Sequence, residues 1–376
     1  MKATWDIFCS VVDNYGDIGV TWRLARQLVA EHGQAVRLWV DDLRAFARLC
    51  PDADPRADRQ WQRGVEVRAW HPDWRPVEPA EVVIEAFACQ LPEAYVQALA
   101  GRQGRLWLNL EYLSAEDWVA GCHGLPSPQP DGLAKYFFFP GFDAATGGLP
   151  RERGLLERRD AFRADRQAQQ AFLLALGVQR RPEALLISLF SYENPGLGNW
   201  LDALAASAET TQLLVPEGRI LGDLEAWLGI AGLRAGDCQR RGALSIHVLP
   251  FVEQDDYDRL LWCCDFNLVR GEDSFLRGQW AGRPLLWHIY QQEEGAHWAK
   301  LEAFLDLYLA DLEPAAAIAL RGLWRAWNAG EALAEPWLAV RANWPELCAH
   351  AERWARELAG QDDLAAKLVQ FCATRL

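Results

Sequence analysis

The stretch "SVVDNYGDIGVTWRLARQL" (residues 10–28) sets Asp13 and Asp17 among Gly16 and Gly19, directly ahead of a helical pattern. Phosphate-binding loops in this position work through glycine and backbone N–H groups, and carboxylates there repel a phosphate. A helix N-cap accounts for one of the two acids, most simply Asp17, but does not require both. Gly16 and Gly19 permit tight turning and close approach of backbone to a ligand, so these glycines and Tyr15 are read as support for the loop. A second loop, "LVRGEDSFLRGQWAG" (268–282), carries the opposite chemistry. Gly271 ends a strand there, and Glu272, Asp273 and Ser274 stand where a helix begins. Ser274 is expected to bond a ligand phosphate, helped by N–H groups of the first turn, with Arg270 as the compensating cation. Capping of the helix by the same residues is the plainer alternative.

Other expected strand ends add candidates: Phe190, Ser191, Tyr192 and Asn194 in "LFSYEN", then Phe251 and Gln254 in "LPFVEQDD". An aromatic ring plus an amide is what stacking on and pairing with a pyrimidine requires. Each is structural when taken singly, and their shared position at strand ends of one domain is the stronger argument. His288 and His297 have no metal-ligand spacing, and neither a GxSxG elbow nor a Walker A sequence occurs. The combination favours metal-independent group transfer. One carboxylate serves as general base, and a cationic, N–H-rich loop receives a leaving diphosphate.

The elements that must position these loops read as two similar α/β halves. In the first, apolar runs at 5–12, 35–40, 65–70, 81–87 and 105–113 are expected strands, with helices at 19–33 and 91–101. The charged stretch 149–170 reads as a connector. The pattern then restarts, with strands at 184–190, 211–216, 244–251, 265–271 and 284–290 and helices at 198–207, 222–229 and 255–264. Such alternation with continuous apolar strands implies parallel sheets covered on both faces. Without a strong GxGxxG, it points to two Rossmann-like domains facing a cleft, with ligands outside the carboxyl ends of the strands. The last 80 or so residues are nearly all helical pattern.

Bulk properties narrow the partners. A chain of 376 residues is long for one core, consistent with two domains. The net charge of −14 gives no electrostatic footprint for nucleic acid or an anionic membrane. Nine cysteines without a CxxC pair argue for reduced thiols. Asp6 interrupts the first apolar residues, so no signal peptide is expected, and no run approaches the ~20 apolar residues of a membrane span. A cytoplasmic globular protein is the expectation. Most of the 19 tryptophans are expected to fill core.

Five longer motifs carry a specific resemblance: "VVDNYGDIGVTWRLARQL", "VIEAFACQLPE", "LNLEYLSAEDWV", "KYFFFPGF" and "LVRGEDSFLRGQWAGRPLLWHIYQQ". Together, along essentially the whole chain, they resemble the bacterial EarP family, the protein-arginine rhamnosyltransferases of translation elongation factor P. The resemblance implies a GT-B fold. Residues 1–155 would form an acceptor-binding Rossmann-like domain, 165–349 a nucleotide-sugar-binding one, and a C-terminal helix (about 350–376) would pack back on the first. It implies dTDP-β-L-rhamnose as donor and one arginine on the first domain of elongation factor P as acceptor. It further implies inversion at the anomeric carbon, no metal or other cofactor, and activation of the factor for ribosomes stalled at polyproline. Carried over position by position, Asp13 and Asp17 match acceptor-side carboxylates and Glu272 an acidic donor-loop residue, the three catalytic candidates. Phe190, Tyr192, Phe251, Gln254, Arg270, Asp273 and Ser274 match donor-binding positions. Asp17 is the favoured base with Asp13 orienting the guanidinium, the reverse assignment staying open. Two other readings compete: a sugar-nucleotide-dependent enzyme of the same fold acting on a small molecule, and a non-enzymatic protein that binds a translation factor.

Overall fold

The computed structural model describes residues 3–11, 15–71, 73–74, 76–100, 102, 104–129 and 132–376. The chain divides into two compact units, Met1–Arg153 with Leu358–Leu376, and Gly154–Glu357.

The first unit is built on eight strands: β1 (Thr4–Cys9), β2 (Ala35–Val40), β3 (Arg59–Gln62), β4 (Val65–Ala69), β5 (Val82–Ala86), β6 (Leu106–Leu110), β7 (Pro126–Pro128) and β8 (Ala134–Phe138). Their order is β3-β4-β2-β1-β5-β6-β8-β7. The six inner strands are parallel, whereas β3 and β7 run antiparallel at the edges. Every residue of β5 and β6 is buried, the signature of strands covered on both faces. The expected all-parallel sheet is thus corrected to a mixed one. The edge strands escape sequence reading because they are short and half exposed, with no continuous apolar run.

Asp6, which breaks the first apolar run, is fully buried yet saturated. Arg37 grips it with two N–H groups at 2.6 and 2.5 Å, and Trp39 Nε1 and the Ala80 N–H donate at 2.9 and 3.0 Å. The Tyr95 hydroxyl donates as well. A buried carboxylate is tolerated only with partners of this kind.

The last helix, Leu364–Ala373, packs on the first, Gly16–His32. Asp363 caps it by accepting from the Ala366 N–H, and takes a further bond from Gln27 Nε2, both at 3.0 Å. Lys367 donates to the Ala144 and Thr146 carbonyls, while Phe371 lies edge-on to Tyr136 and Phe138. Gly148 makes this seat possible. Its φ is +72°, and a Cβ there would lie 2.5 Å from the Asp362 carbonyl oxygen.

The second unit holds six strands: β9 (Leu185–Leu189), β10 (Thr211–Pro216), β11 (Cys238–Arg241), β12 (Leu244–Leu249), β13 (Phe266–Arg270) and β14 (Leu285–His288). Their order is β11-β12-β10-β9-β13-β14, parallel except for the edge strand β11. The stretch 149–170 is not a plain connector: it contains the helix Leu155–Ala164 and the start of another, Arg166–Ala175, in this unit. Its charges mislead because Arg159 is fully buried, bonded to the Trp280 carbonyl and to Glu352 at 2.9 and 2.7 Å. The helices after 296 cover the sheet through tryptophan, with Trp324 Nε1 donating to the Leu285 carbonyl and Trp327 edge-on to His288. Among the described residues, no helix is long and apolar enough to cross a membrane.

Candidate active site

In the second unit the predicted residues converge at the carboxyl ends of the parallel strands. Arg270 is the last residue of β13, in register with His288 at the end of β14. Phe190 and Tyr192 follow β9, Phe251 follows β12, and Gln254 opens the helix Gln254–Cys263. The Arg270 guanidinium lies over both aromatic rings, 4.4 Å from the Phe190 centroid and 4.8 Å from that of Tyr192. Stacking holds its plane while leaving the N–H edge for another partner, and Nη1 is buried without a hydrogen bond. Such a group suits a diphosphate.

The turn after β13 is built by its own residues. Gly271 has φ +59°, and Trp287 Nε1 fixes its carbonyl at 2.8 Å. Glu272 occupies the N-cap position of the helix Asp273–Trp280 and is only 8% exposed. Asp273 accepts from Gln254 Nε2 at 3.2 Å, which ties two predicted positions together. Ser274 turns inward: its hydroxyl donates to the Arg270 carbonyl and accepts from the Arg270 N–H at 3.0 Å. In this arrangement it braces the strand end, and the N–H groups of the first helical turn are the anion-compatible feature of the helix start. Ser191 bonds His288, and Asn194 bonds the Trp327 carbonyl and the Gly196 N–H, so these two candidates have structural partners.

Sequence reasoning missed His288 as part of this cluster, having weighed it only as a metal ligand. Its Nδ1 lies 2.7 Å from the Ser191 hydroxyl and its ring meets Tyr192 edge-on. Burial, then the Arg270 cation, press its pKa down to about 4, with Glu193 opposing and His297 reinforcing. The unfolded chain therefore takes up the proton first as pH falls. Stability supplied by neutral His288 is complete above its ordinary value of 6.5 and is lost on acidification toward 4. The thermal midpoint should fall over that interval, by the equivalent of up to about 3 kcal/mol from this residue, and His288→Gln should make the profile shallower.

The first unit presents carboxylates instead. Asp17 lies in the first turn of Gly16–His32, 3% exposed, and its Oδ1 accepts from the Tyr112 hydroxyl at 3.2 Å. The helix starts at Gly16 rather than at 19, so Asp17 is a first-turn acid with Tyr15 at the N-cap position. The helix dipole favours a carboxylate there. Gly16 and Gly19 belong to this turn, the Gly19 N–H bonding the Tyr15 carbonyl at 2.8 Å. Asp13 lies outside the described residues.

Tyr112 is itself seated, its ring stacked on Phe87 at 4.5 Å. Phe87 and Ala88 both adopt positive φ, 57° and 55°, a strained turn at the end of β5. Asp41 pins the exit of β1 by accepting from the Ser10 hydroxyl and the Val11 N–H at 2.5 and 2.9 Å. Burial pushes the Glu85 and Glu111 carboxyls above the ordinary range, with Lys135 opposing in each case. Tyr112, Asp41, Glu85 and Glu111 were not anticipated, although Asp41 follows an expected strand and the other three lie within expected strands. The first unit thus gathers acids at its strand ends, and the second a stacked cation. Among the described residues, no group of three or more His, Cys, Asp or Glu is placed to hold a metal ion.

Two Rossmann-like units of this kind define the GT-B class of glycosyltransferases. The spinosyn rhamnosyltransferase SpnG, solved with spinosyn aglycone, shares the fold, with a TM-score of 0.51 at 13% identity over 98% of this chain and 99% of that one. The model of the family "Elongation-Factor P (EF-P) rhamnosyltransferase EarP" matches residues 5–373. A protein-arginine rhamnosyltransferase of Pseudomonas putida is 66% identical over 372 residues, 99% of each chain. A structure described as the "structural basis for EarP-mediated arginine glycosylation of translation elongation factor EF-P" is 49% identical, covers 100% of both chains and has a TM-score of 0.74. The chain belongs to the EarP family, and its enzyme class is protein-arginine rhamnosyltransferase.

Proposed function

We propose that this enzyme moves L-rhamnose from dTDP-β-L-rhamnose, with inversion, to a guanidinium nitrogen of one arginine of translation elongation factor P. In this reading the second unit binds the donor and the first unit the acceptor. The observation that carries it is the separation of charge between the units. Buried Asp17 faces a hydroxyl donor at one set of strand ends, and stacked Arg270 keeps an unbonded N–H edge at the other.

An arginine side chain is protonated in water and has no lone pair free for attack. Carboxylates that grip its planar fork align one nitrogen and accept its proton. Asp17 takes that proton as the N–C1 bond forms and the C1–oxygen bond to the diphosphate breaks. Arg270 and the first turn of Asp273–Trp280 receive the charge that develops on the departing dTDP. Phe190, Tyr192, Phe251 and Gln254 hold the thymine and sugar, and Glu272 positions the donor loop. Asp13, in the family's other acidic position, orients the guanidinium. A single displacement converts the β-linked donor into an α-linked product. NMR of the modified protein tests this: α-rhamnosyl arginine is expected, and a β linkage contradicts the single-displacement reading.

A further inference from the structure

Just ahead of β14, the edge strand whose other end carries His288, lies a cavity of about 370 Å³. Arg163, Arg283, Arg356, Asp160 and Glu352 line it, with Gly282 and Cys348. Two carboxylates serve three arginines there. Arg159 Nη2 bonds Asp160 and Glu352, both at 2.7 Å, Arg163 reaches Glu352 at 2.8 Å, and Arg356 Nε reaches it at 3.0 Å. Arg356 also stands 3.8 Å from Asp160. The fourth arginine, Arg283, is left over. It is half-buried, its Nε is buried with no hydrogen bond, and among the described residues no carboxylate lies within ion-pair distance of it. Burial, then repulsion from Arg163, hold its pKa below the ordinary arginine value, with Asp265, Cys348 and Glu352 opposing.

The lining carries three arginines against two carboxylates, a surplus of one positive charge on a chain whose net charge is −14. A partly desolvated cation beside other cations is costly unless an anion completes the set. Gly282, at φ +61°, keeps the floor open: a Cβ there would lie 2.7 Å from both Arg159 Nη1 and Glu352 Oε2. The carboxylates on the rim select among anions. Asp160 and Glu352 repel a fully ionised group but accept a hydrogen bond from one that keeps a proton. Monohydrogen phosphate meets both demands, offering oxygens to the arginines and a P–OH to a carboxylate, whereas sulfate has no proton to give.

We propose that this cavity binds a small protonated phosphate, either inorganic phosphate or the head of a phosphomonoester, with Arg283 as its principal cation. The site is separate from the strand-end cluster around Arg270, and binding here does not depend on the donor chemistry proposed above.

Equilibrium dialysis of the full-length enzyme against radiolabelled inorganic phosphate, at constant ionic strength in chloride, tests it. Saturable binding should appear in the wild type and persist in Arg270→Gln. It should be lost in Arg283→Gln and weaken at least fivefold in Arg356→Gln, an exposed position where folding is not at stake. Sulfate should compete far less well than phosphate. Competition by glycerol 3-phosphate supports a phosphomonoester as the ligand, and its failure supports inorganic phosphate itself. The proposal is overturned by any of three results: no saturable binding, binding unchanged in Arg356→Gln, or binding abolished in Arg270→Gln. Equal competition by sulfate overturns the assignment to phosphate.

Discussion

Asp17→Asn leaves the enzyme folded and able to bind dTDP-β-L-rhamnose, but lowers the turnover of sugar transfer by about 10²–10⁴-fold, the range for losing a positioned general base. The substitution is nearly isosteric, and the amide oxygen still accepts from the Tyr112 hydroxyl that now meets Oδ1 at 3.2 Å. What it removes is the ability to take a proton and the negative charge in the first turn of Gly16–His32. The Gly19–Tyr15 bond of the same turn runs between backbone atoms. Since the defect lies in the chemical step, kcat falls while the donor KM stays near its wild-type value. A non-enzymatic binder would have no turnover to lose. Transfer that survives Asp13→Asn together with Asp17→Asn contradicts the assignment of the base.

Arg270→Ala lowers kcat/KM by about 10²–10³-fold, equivalent to about 3–4 kcal/mol, the usual cost of removing a preorganised charge at a developing anion. It differs from Asp17→Asn in acting on donor affinity as well as on turnover. Arg270 is the last residue of β13, its guanidinium is clamped over Phe190 and Tyr192, and its Nη1 has no other bond to keep. Arg270→Lys should rescue little of the loss, because an ammonium neither stacks on two rings nor presents a planar fork. Titration calorimetry with dTDP separates these cases. Unchanged affinity in Arg270→Ala would remove this residue from the diphosphate site.

The two α/β units and the strands that carry the site were legible because buried strands here are continuous apolar runs. "AVRLWV" and "TQLLVP" form β2 and β10 over the expected residues. Boundaries were weaker where side chains give no signal. The first helix begins at Gly16 under Tyr15, which makes no side-chain cap bond, so glycine and aspartate there looked like loop. Arg159 shows why charge is a poor guide to exposure: in "RERGLLERRD" nothing marks the one arginine that a distant glutamate buries. That Phe190, Tyr192 and Arg270 lie together was legible because strand ends can be counted off the sequence. Tyr112, Asp41 and His288 were not, because their partners Asp17, Ser10 and Ser191 are brought to them only by the fold. Ser274 shows the converse case. Its type and place suggested a phosphate ligand, but a hydroxyl one turn from a strand end also reaches the backbone, and here it does.

The central claim is transfer of a deoxyhexose to an arginine of elongation factor P. Intact-mass spectrometry of the factor co-expressed with this enzyme, in cells that make dTDP-β-L-rhamnose, tests it most directly. The expected result is a mass increment of one deoxyhexose that disappears when the acceptor arginine is replaced by lysine and when the enzyme carries Asp17→Asn. An unmodified mass with donor and active enzyme both present would contradict it.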